Sequence, residues 1–378
     1  MALTLRTPRL PRLQSRLPLG LLLCLLLGLP LRPKPPILSV LPNKAVAAGA
    51  EDLRWLAAAA GLAGRARPLS RPNPAVGALV LDSGGRVVGR GWTRPGGRPH
   101  AEAMALAMAG EAARGGTAYV TLEPCAHRSE RGPACATGLS EAGLARIVVA
   151  VRDPDPRTAG KGISMLRENG IEVVEAACPA ARASLEGYLL RAALGRPFVT
   201  LKLAMSLDGR IALANGESRW ITGPEARAHT HLLRSRQDAI LVGSGTLRSD
   251  VPRLDVRLAG LEARSPQRWL LTRDMTARGV PEGWRRLADP ADLAPLAPAQ
   301  YLLVEGGAGA AAAFIAADQV DRLMIYRAPI LIGQGRAALD EIGLDRLAEA
   351  HGRWRLSDRR PLGSDLLEVY ERMPCSPE

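Results

Sequence analysis

The feature that most restricts this chain is a set of three metal-ligating side chains drawn from three separate segments. They are His100 in His100-Ala101-Glu102, Cys125 in Pro124-Cys125, and Cys135 shortly after Pro133. One ion held by an imidazole and two thiolates requires a fold that gathers two helix starts and a strand end at one point. The local sequence predicts such elements. His100-Ala101-Glu102 opens an amphipathic run, Cys125 follows the strand-like Tyr119-Val120-Thr121-Leu122, and Cys135 stands near a helix start, where the backbone dipole favours a thiolate. Three protein ligands and an open fourth position are the donor count of a catalytic zinc. Glu102, two residues beyond the histidine, is placed to carry protons rather than to ligate. The rival is a closed structural zinc with His127 as fourth ligand, and it would leave Glu102 idle. Taken singly, each residue reads as a surface histidine or an inert thiol, whereas the joint pattern does not.

At 378 residues the chain is long enough for two or three domains. From residue 51 the pattern predicts a helix over 52–61, a turn-rich stretch ending Arg71-Pro72-Asn73-Pro74, and a strand over 75–81. A Gly84-Gly85 hairpin leads into a strand over 86–91, then a helix over 100–113. A strand over 118–122, a helix over 134–142, a strand over 146–151, a helix over 162–169 and a strand over 172–175 follow. This alternation predicts an α/β domain of three layers. Gly195-Arg196-Pro197 interrupts the periodicity and marks a boundary near 190–197. A second α/β series follows, with strands near 198–204, 239–242, 269–271, 301–304, 322–330 and 365–370. The expected organisation is a basic and apolar leader over 1–50, a first domain over 51–195 and a second over 196–373. Apolar residues are 47% of the chain but aromatics only 3%, so the cores must be built from Ala, Leu, Val and Ile.

Asn73-Pro74-Ala75-Val76-Gly77, His100-Ala101-Glu102, Thr121-Leu122-Glu123-Pro124-Cys125-Ala126-His127 and Cys135, in that order, resemble the bifunctional riboflavin-biosynthesis deaminase/reductase family. The H-x-E plus P-C pattern is shared with base deaminases generally, but the nine residues between Cys125 and Cys135 separate this family from cytidine and tRNA-adenosine deaminases. The resemblance spans about residues 50–373. It implies a cytidine-deaminase-like three-layer domain followed by a dihydrofolate-reductase-like α/β domain, with Zn2+ and NADPH as cofactors. The implied substrate is a diaminopyrimidinone carrying a ribosylamino 5′-phosphate. Water replaces its 2-amino group, and NADPH then reduces the ribosyl group to ribityl. Asn73 and His127 match positions that hold the substrate, and Arg128 could serve its phosphate.

In the second half the resemblance rests on residues 201–210, on 216–222, on Asp238-Ala239-Ile240-Leu241-Val242-Gly243-Ser244-Gly245-Thr246 and on Val304-Glu305-Gly306-Gly307. By position in these motifs, Ala204, Trp220, Thr222, Thr246 and Asp250 line the NADPH site, while Ser218, Arg234, Leu254, Arg257 and Glu305 hold the sugar phosphate. Gly307 opens a loose G-x-G-x-x-A run, whose glycines let a pyrophosphate approach a helix N-terminus. Three departures stand out: the interval from Arg257 to Glu305 is short, Val251 replaces a usual polar residue, and Asp255 a small hydroxyl residue. A second reading therefore keeps only the deaminase active, with the C-terminal domain reduced to substrate capture or dimerisation.

The formal charge of +13 raises nucleic acid as a partner, as does a third reading, a tRNA or nucleoside deaminase. Seven basic residues and no acidic ones lie in residues 1–50, so more than half of the excess belongs to the leader. The scarcity of aromatics also disfavours stacking on an extruded base, and no nucleic acid is expected. Residues 17–31 with Ala45-Val46-Ala47 resemble a signal peptide too short to span a membrane, whereas translation starting near Val40 or Val46 would leave the leader out of the working protein. Five cysteines at irregular spacing do not form a disulfide framework, and Cys24, Cys178 and Cys375 have no chemical context. A zinc-thiolate and a nicotinamide site suit a reducing cytoplasm, so the expectation is a cytoplasmic homo-oligomer without a membrane partner. No role is assigned to His229, His231 or His351.

Overall fold

The computed structural model describes residues 48–373 except Ser129, Arg131 and Ala277. These residues fall within one compact unit. The leader expected over 1–50 lies almost wholly outside them, as do Cys24 and Cys375. No helix among the described residues is long and apolar enough to cross a membrane.

The first half is built on a five-stranded sheet of order β2-β1-β3-β4-β5. Helix α1 (Ala50–Ala63) precedes β1 (Gly77–Leu81) and β2 (Val87–Trp92), which pair antiparallel as the hairpin that was expected. Helix α2 (Ala101–Ala109) leads to β3 (Thr117–Val120), α3 (Cys135–Glu141) to β4 (Arg146–Val149), and α4 (Lys161–Glu168) to β5 (Glu172–Glu175). β1 and β3 are antiparallel, while β3, β4 and β5 run parallel. Helices α5 (Pro179–Ser184) and α6 (Glu186–Leu194) close this half. The helix expected over 100–113 breaks at Gly110, whose φ of 53° ends the α-turns and leaves a 3-10 turn over Gly110–Ala113.

Small residues on both partners explain how so few aromatic rings suffice. A Cβ at Gly77 would lie 1.9 Å from the Ala59 carbonyl oxygen of α1, and Cβ atoms at Gly89 and Gly91 would lie 2.1 Å from the Ala105 and Ala101 carbonyl oxygens of α2. Gly91 faces Ala78 and Gly89 faces Val80 across the hairpin, so these four share one side of the sheet and Gly77 lies on the other. Helices α1 and α2 therefore cover opposite faces, which makes the three layers. Buried Asp52 of α1 accepts hydrogen bonds from the Tyr119 hydroxyl of β3 (3.1 Å) and from both terminal nitrogens of Arg146 in β4 (2.7 and 3.0 Å), tying the helix to the sheet.

The second half is an eight-stranded sheet of order β10-β9-β8-β11-β6-β12-β15-β14, beside a small ribbon of β7 and β13. Its elements in chain order are β6 (Phe198–Met205), β7 (Arg210–Ala212), α7 (Pro224–Arg234), β8 (Ala239–Gly243), α8 (Ser244–Asp250), β9 (Gln267–Leu271), β10 (Arg285–Leu287), β11 (Tyr301–Val304) and α9 (Ala308–Ala316), then β12 (Arg322–Arg327), β13 (Arg336–Ala337), β14 (Trp354–Leu362) and β15 (Asp365–Arg372). The strands from β10 to β12 are parallel, and β15 and β14 add an antiparallel edge. Alternate residues of β8 and β11 feed two cores, with Leu241 and Leu302 packing on Phe314 of α9 and Ile240 and Leu303 packing with Leu247 and Leu254 on the other face. Within residues 288–300, a 3-10 turn (Ala294–Leu296) buries Leu293, Leu296 and Ala299 in the core that contains Phe314.

Some strands differ from expectation. The strand expected over 322–330 stops at Arg327, short of Pro329. β14 was not foreseen because it is the sheet edge, where mostly exposed residues in Trp354–Leu362 need no apolar alternation.

Candidate active sites

The first site forms where three segments meet at one end of the five-stranded sheet. His100 is the N-cap of α2, Cys135 the first residue of α3, and Cys125 lies in the loop that leaves β3. His100 Nδ1 stands 3.2 Å from Cys135 Sγ and 3.7 Å from Cys125 Sγ, and one ligand atom from each of the three lies within 4.8 Å of the others. No further His, Cys, Asp or Glu among the described residues joins them, so the closed site with His127 as fourth ligand is not formed. The Cys135 backbone N–H donates to Cys125 Sγ (3.3 Å), the helix-start contact that favours a thiolate. The Cys125 thiol is held well below its ordinary value by hydrogen bonding from Cys135 and by His100. Cys135 is pushed up by Cys125 beside it and by burial. Two adjacent thiols that cannot both ionise alone are a donor set suited to a divalent cation. Glu102 is buried in the first turn of α2, and that burial raises its carboxyl above its ordinary value.

The loop that leaves β3 is held by Glu123, whose role no local sequence pattern signals. The buried carboxylate of Glu123 accepts the backbone N–H groups of Gly160 and Gly162 (both 3.0 Å), Ile163 (3.2 Å) and Asp153 (3.2 Å). The next residue, Pro124, packs so closely that a Cβ at Gly162 would meet its carbonyl oxygen at 2.0 Å. Glu123 thereby anchors the loop that carries Cys125 to the start of α4, and only a buried acceptor four donors deep reveals it.

Asn73 lies beside this centre. Its Nδ2 donates to the Gly97 carbonyl (3.0 Å) and stands 3.4 Å from His100 Nε2. Half-buried His127 has its Nδ1 3.4 Å from Thr158 Oγ1, and Arg128 is exposed.

The second site is a cleft of about 1610 Å³ across the C-terminal ends of β6, β8, β9 and β11, where parallel α/β sheets place their ligands. All eleven residues expected there line it: Ala204, Trp220, Thr222, Thr246, Asp250, Gly307, Ser218, Arg234, Leu254, Arg257 and Glu305. Gly307 caps α9 and its N–H donates to Thr246 Oγ1 (3.0 Å), while a Cβ at Gly306 would come 2.6 Å from Ala310 Cβ. The backbone there is bare enough for a dinucleotide to approach, and the volume exceeds the roughly 300–1,000 Å³ of a single small-ligand pocket. The donors and the room suit NADPH.

Arg234 lines the cleft, where its guanidinium is paired with Glu305 and donates to the Asp255 carbonyl (3.0 Å). Arg257 is more than half exposed, with a long 3.5 Å pairing to Asp255. Lys202, unremarked in the sequence, also lines the cleft, and burial lowers its ammonium. Burial would raise Glu305, yet Arg234 and Lys202 outweigh it and hold that carboxyl below its ordinary value. His231 lines the cleft too, its Nδ1 accepting from the Arg257 N–H (3.2 Å), whereas His229 meets the Tyr326 hydroxyl (2.7 Å).

Comparison with known proteins follows the same division. The family profile for the cytidine and deoxycytidylate deaminase zinc-binding region matches residues 50–151, and that for the RibD C-terminal domain matches 197–285 and 291–367. The riboflavin biosynthesis protein RibD of Haemophilus influenzae is 38% identical over 364 residues, covering 85% of this chain and 97% of that protein. The Escherichia coli RibD is 36% identical over 362 residues, covering 84% and 98%. Among solved structures, Acinetobacter baumannii RibD aligns with a TM-score of 0.73 at 34% identity, over 85% of this chain and 99% of that one. A Thermotoga maritima diaminohydroxyphosphoribosylaminopyrimidine deaminase/5-amino-6-(5-phosphoribosylamino)uracil reductase aligns with a TM-score of 0.77 at 29% identity, with the same coverage.

Proposed function

The chain belongs to the RibD family of bifunctional deaminase/reductases of riboflavin biosynthesis, and from that membership we propose how its residues divide the two reactions. Residues 51–195 carry the zinc-dependent hydrolytic deamination of 2,5-diamino-6-ribosylamino-4(3H)-pyrimidinone 5′-phosphate. Residues 196–373 carry the NADPH-dependent reduction of its ribosyl group to ribityl. The observation that carries the first assignment is the convergence of His100, Cys125 and Cys135 within 4.8 Å, with buried Glu102 alongside.

When bound by those three side chains, zinc supplies a Lewis acid that acidifies water. Glu102 does the proton work. Its carboxylate takes one proton from the attacking water at Oε and passes it to the pyrimidine ring nitrogen, then takes the second from the hydroxyl newly bonded to the ring carbon and passes it to the departing amine. Asn73, beside His100, and His127 hold the substrate, and Arg128 serves its phosphate. In the second half NADPH, when bound, supplies the hydride. Hydride reaches C1′ as the bond from C1′ to the ring oxygen breaks, the electron pair goes to that oxygen, and a proton must follow it. Lys202 is the cleft's candidate donor at Nζ, its proton loosened by burial. Thr246 and Gly307 receive the cofactor phosphates, and Arg257 the substrate phosphate. The intact cleft supports an active reductase over the deaminase-only reading.

Zinc content and both activities of two variants test the assignment. Glu102→Gln is expected to keep zinc and to lose deamination by roughly 10²- to 10⁴-fold, with NADPH oxidation on the deaminated intermediate retained. Cys135→Ala is expected to lose zinc and deamination together. A Cys135→Ala protein that retained both would sink the metal assignment.

A further inference from the structure

The substrate-side loop of the first half is held by a side chain of the second. Gln300 immediately precedes β11 and is 4% exposed. Its Nε2 donates to the Pro72 carbonyl at 3.0 Å and to the Asn73 carbonyl at 3.2 Å, across 228 and 227 residues of sequence. Because both partners are acceptors, only the amide nitrogen can face them, so the orientation of the side chain is determined.

Gln300 is itself pinned. Its N–H and that of Tyr301 donate to one carboxylate oxygen of buried Asp238 (2.8 and 3.0 Å), and its carbonyl accepts from the Phe198 N–H (2.8 Å). The other Asp238 oxygen takes Arg71 Nη1 at 3.2 Å, two residues before Asn73. On the far side of the loop, Asn73 Nδ2 is clamped between the Gly97 carbonyl and His100 Nε2, and a Cβ at Gly97 would lie 2.5 Å from Asn73 Cγ. A continuous set of hydrogen bonds thus runs from the strands of the reductase sheet to a side chain touching the metal-ligand histidine.

We propose that Gln300 is a positioning residue for the deaminase reaction: by holding the Pro72 and Asn73 carbonyls, the reductase half sets where Asn73 meets the pyrimidine. Gln300 lies outside the reductase cleft and touches none of its lining groups named above. This inference rests on the reading of the first half as the deaminase. It is distinct from that reading, since an inactive wild-type protein would sink the reading while an active wild type with indifferent variants would sink only the inference.

The test uses the full chain. Gln300→Leu removes both donors, and Gln300→Glu keeps the shape while presenting only acceptors to two carbonyls. Both are expected to lower deaminase kcat/KM about 10- to 100-fold, as for a modest misplacement of a substrate-binding group, with zinc stoichiometry and reductase kcat and KM unchanged. Asn73→Ala should cost at least as much. Adding Gln300→Leu to Asn73→Ala should then cost less than about twofold further, because the two act through one contact. Additive losses in that cycle would overturn the proposal. So would deaminase constants equal to wild type in both single variants, or a parallel fall of both activities or of zinc content, which marks a general structural role.

Discussion

Asp52 shows what one charged side chain contributes to the frame behind the deaminase centre. It is buried, and its carboxyl is held below the ordinary 3.8 by hydrogen bonds from Arg146, with Tyr119 and the Gly49 N–H adding to them. A carboxylate whose pKa is depressed on folding stabilises the protein above its unfolded pKa, and that contribution disappears as pH falls through the folded value. The wild-type melting temperature should therefore exceed that of Asp52→Asn by a constant margin from neutrality down to about pH 4, and the margin should shrink below it. A margin that widens on acidification would contradict the assignment of Asp52 as a charged anchor.

At the scale of elements, the placement of α2 depends on glycines in the hairpin beneath it. Gly91 sits under Ala101, the first residue of α2, and a methyl group there would meet its carbonyl oxygen at 2.1 Å. Gly91→Ala must push the helix start outward, and overpacking of this kind costs about 1–3 kcal/mol. Because His100 and Glu102 flank Ala101, zinc affinity and deamination should fall together, while NADPH oxidation by the second half stays near wild type. Metal titration alongside both assays checks this, and equal losses in both activities would argue for global destabilisation instead.

The two halves are joined by polar and ionic contacts as well as by the chain. Arg322 of β12 pairs with Glu186 of α6 (2.9 and 2.8 Å) and with Glu371 of β15 (2.7 Å), and Arg67 stacks over the Tyr301 ring at 3.3 Å. Removing one member of a largely buried ion network leaves the others without a partner, typically at about 3–5 kcal/mol. Arg322→Met should lower the melting temperature and split a single thermal transition into two, with differential scanning calorimetry as the readout. A single transition at the wild-type temperature would show that the halves do not depend on this network.

Chemistry written in short contiguous motifs was legible before any coordinates. His100, Glu102, Cys125 and Cys135 each sit at an element boundary marked by proline, by apolar periodicity or by a helix start, so local physics alone placed them. The alternating strands of both halves were legible for the same reason, since a buried strand must present apolar side chains wherever it lies in the chain. What stayed hidden depends on partners far away in sequence. The four backbone donors that converge on Glu123, the pairing of Arg234 with Glu305, and the reach of Gln300 across 227 residues to Asn73 leave no periodic trace. A hydrogen bond requires only that two groups meet with the right geometry, and which groups meet is settled when the sheets pack.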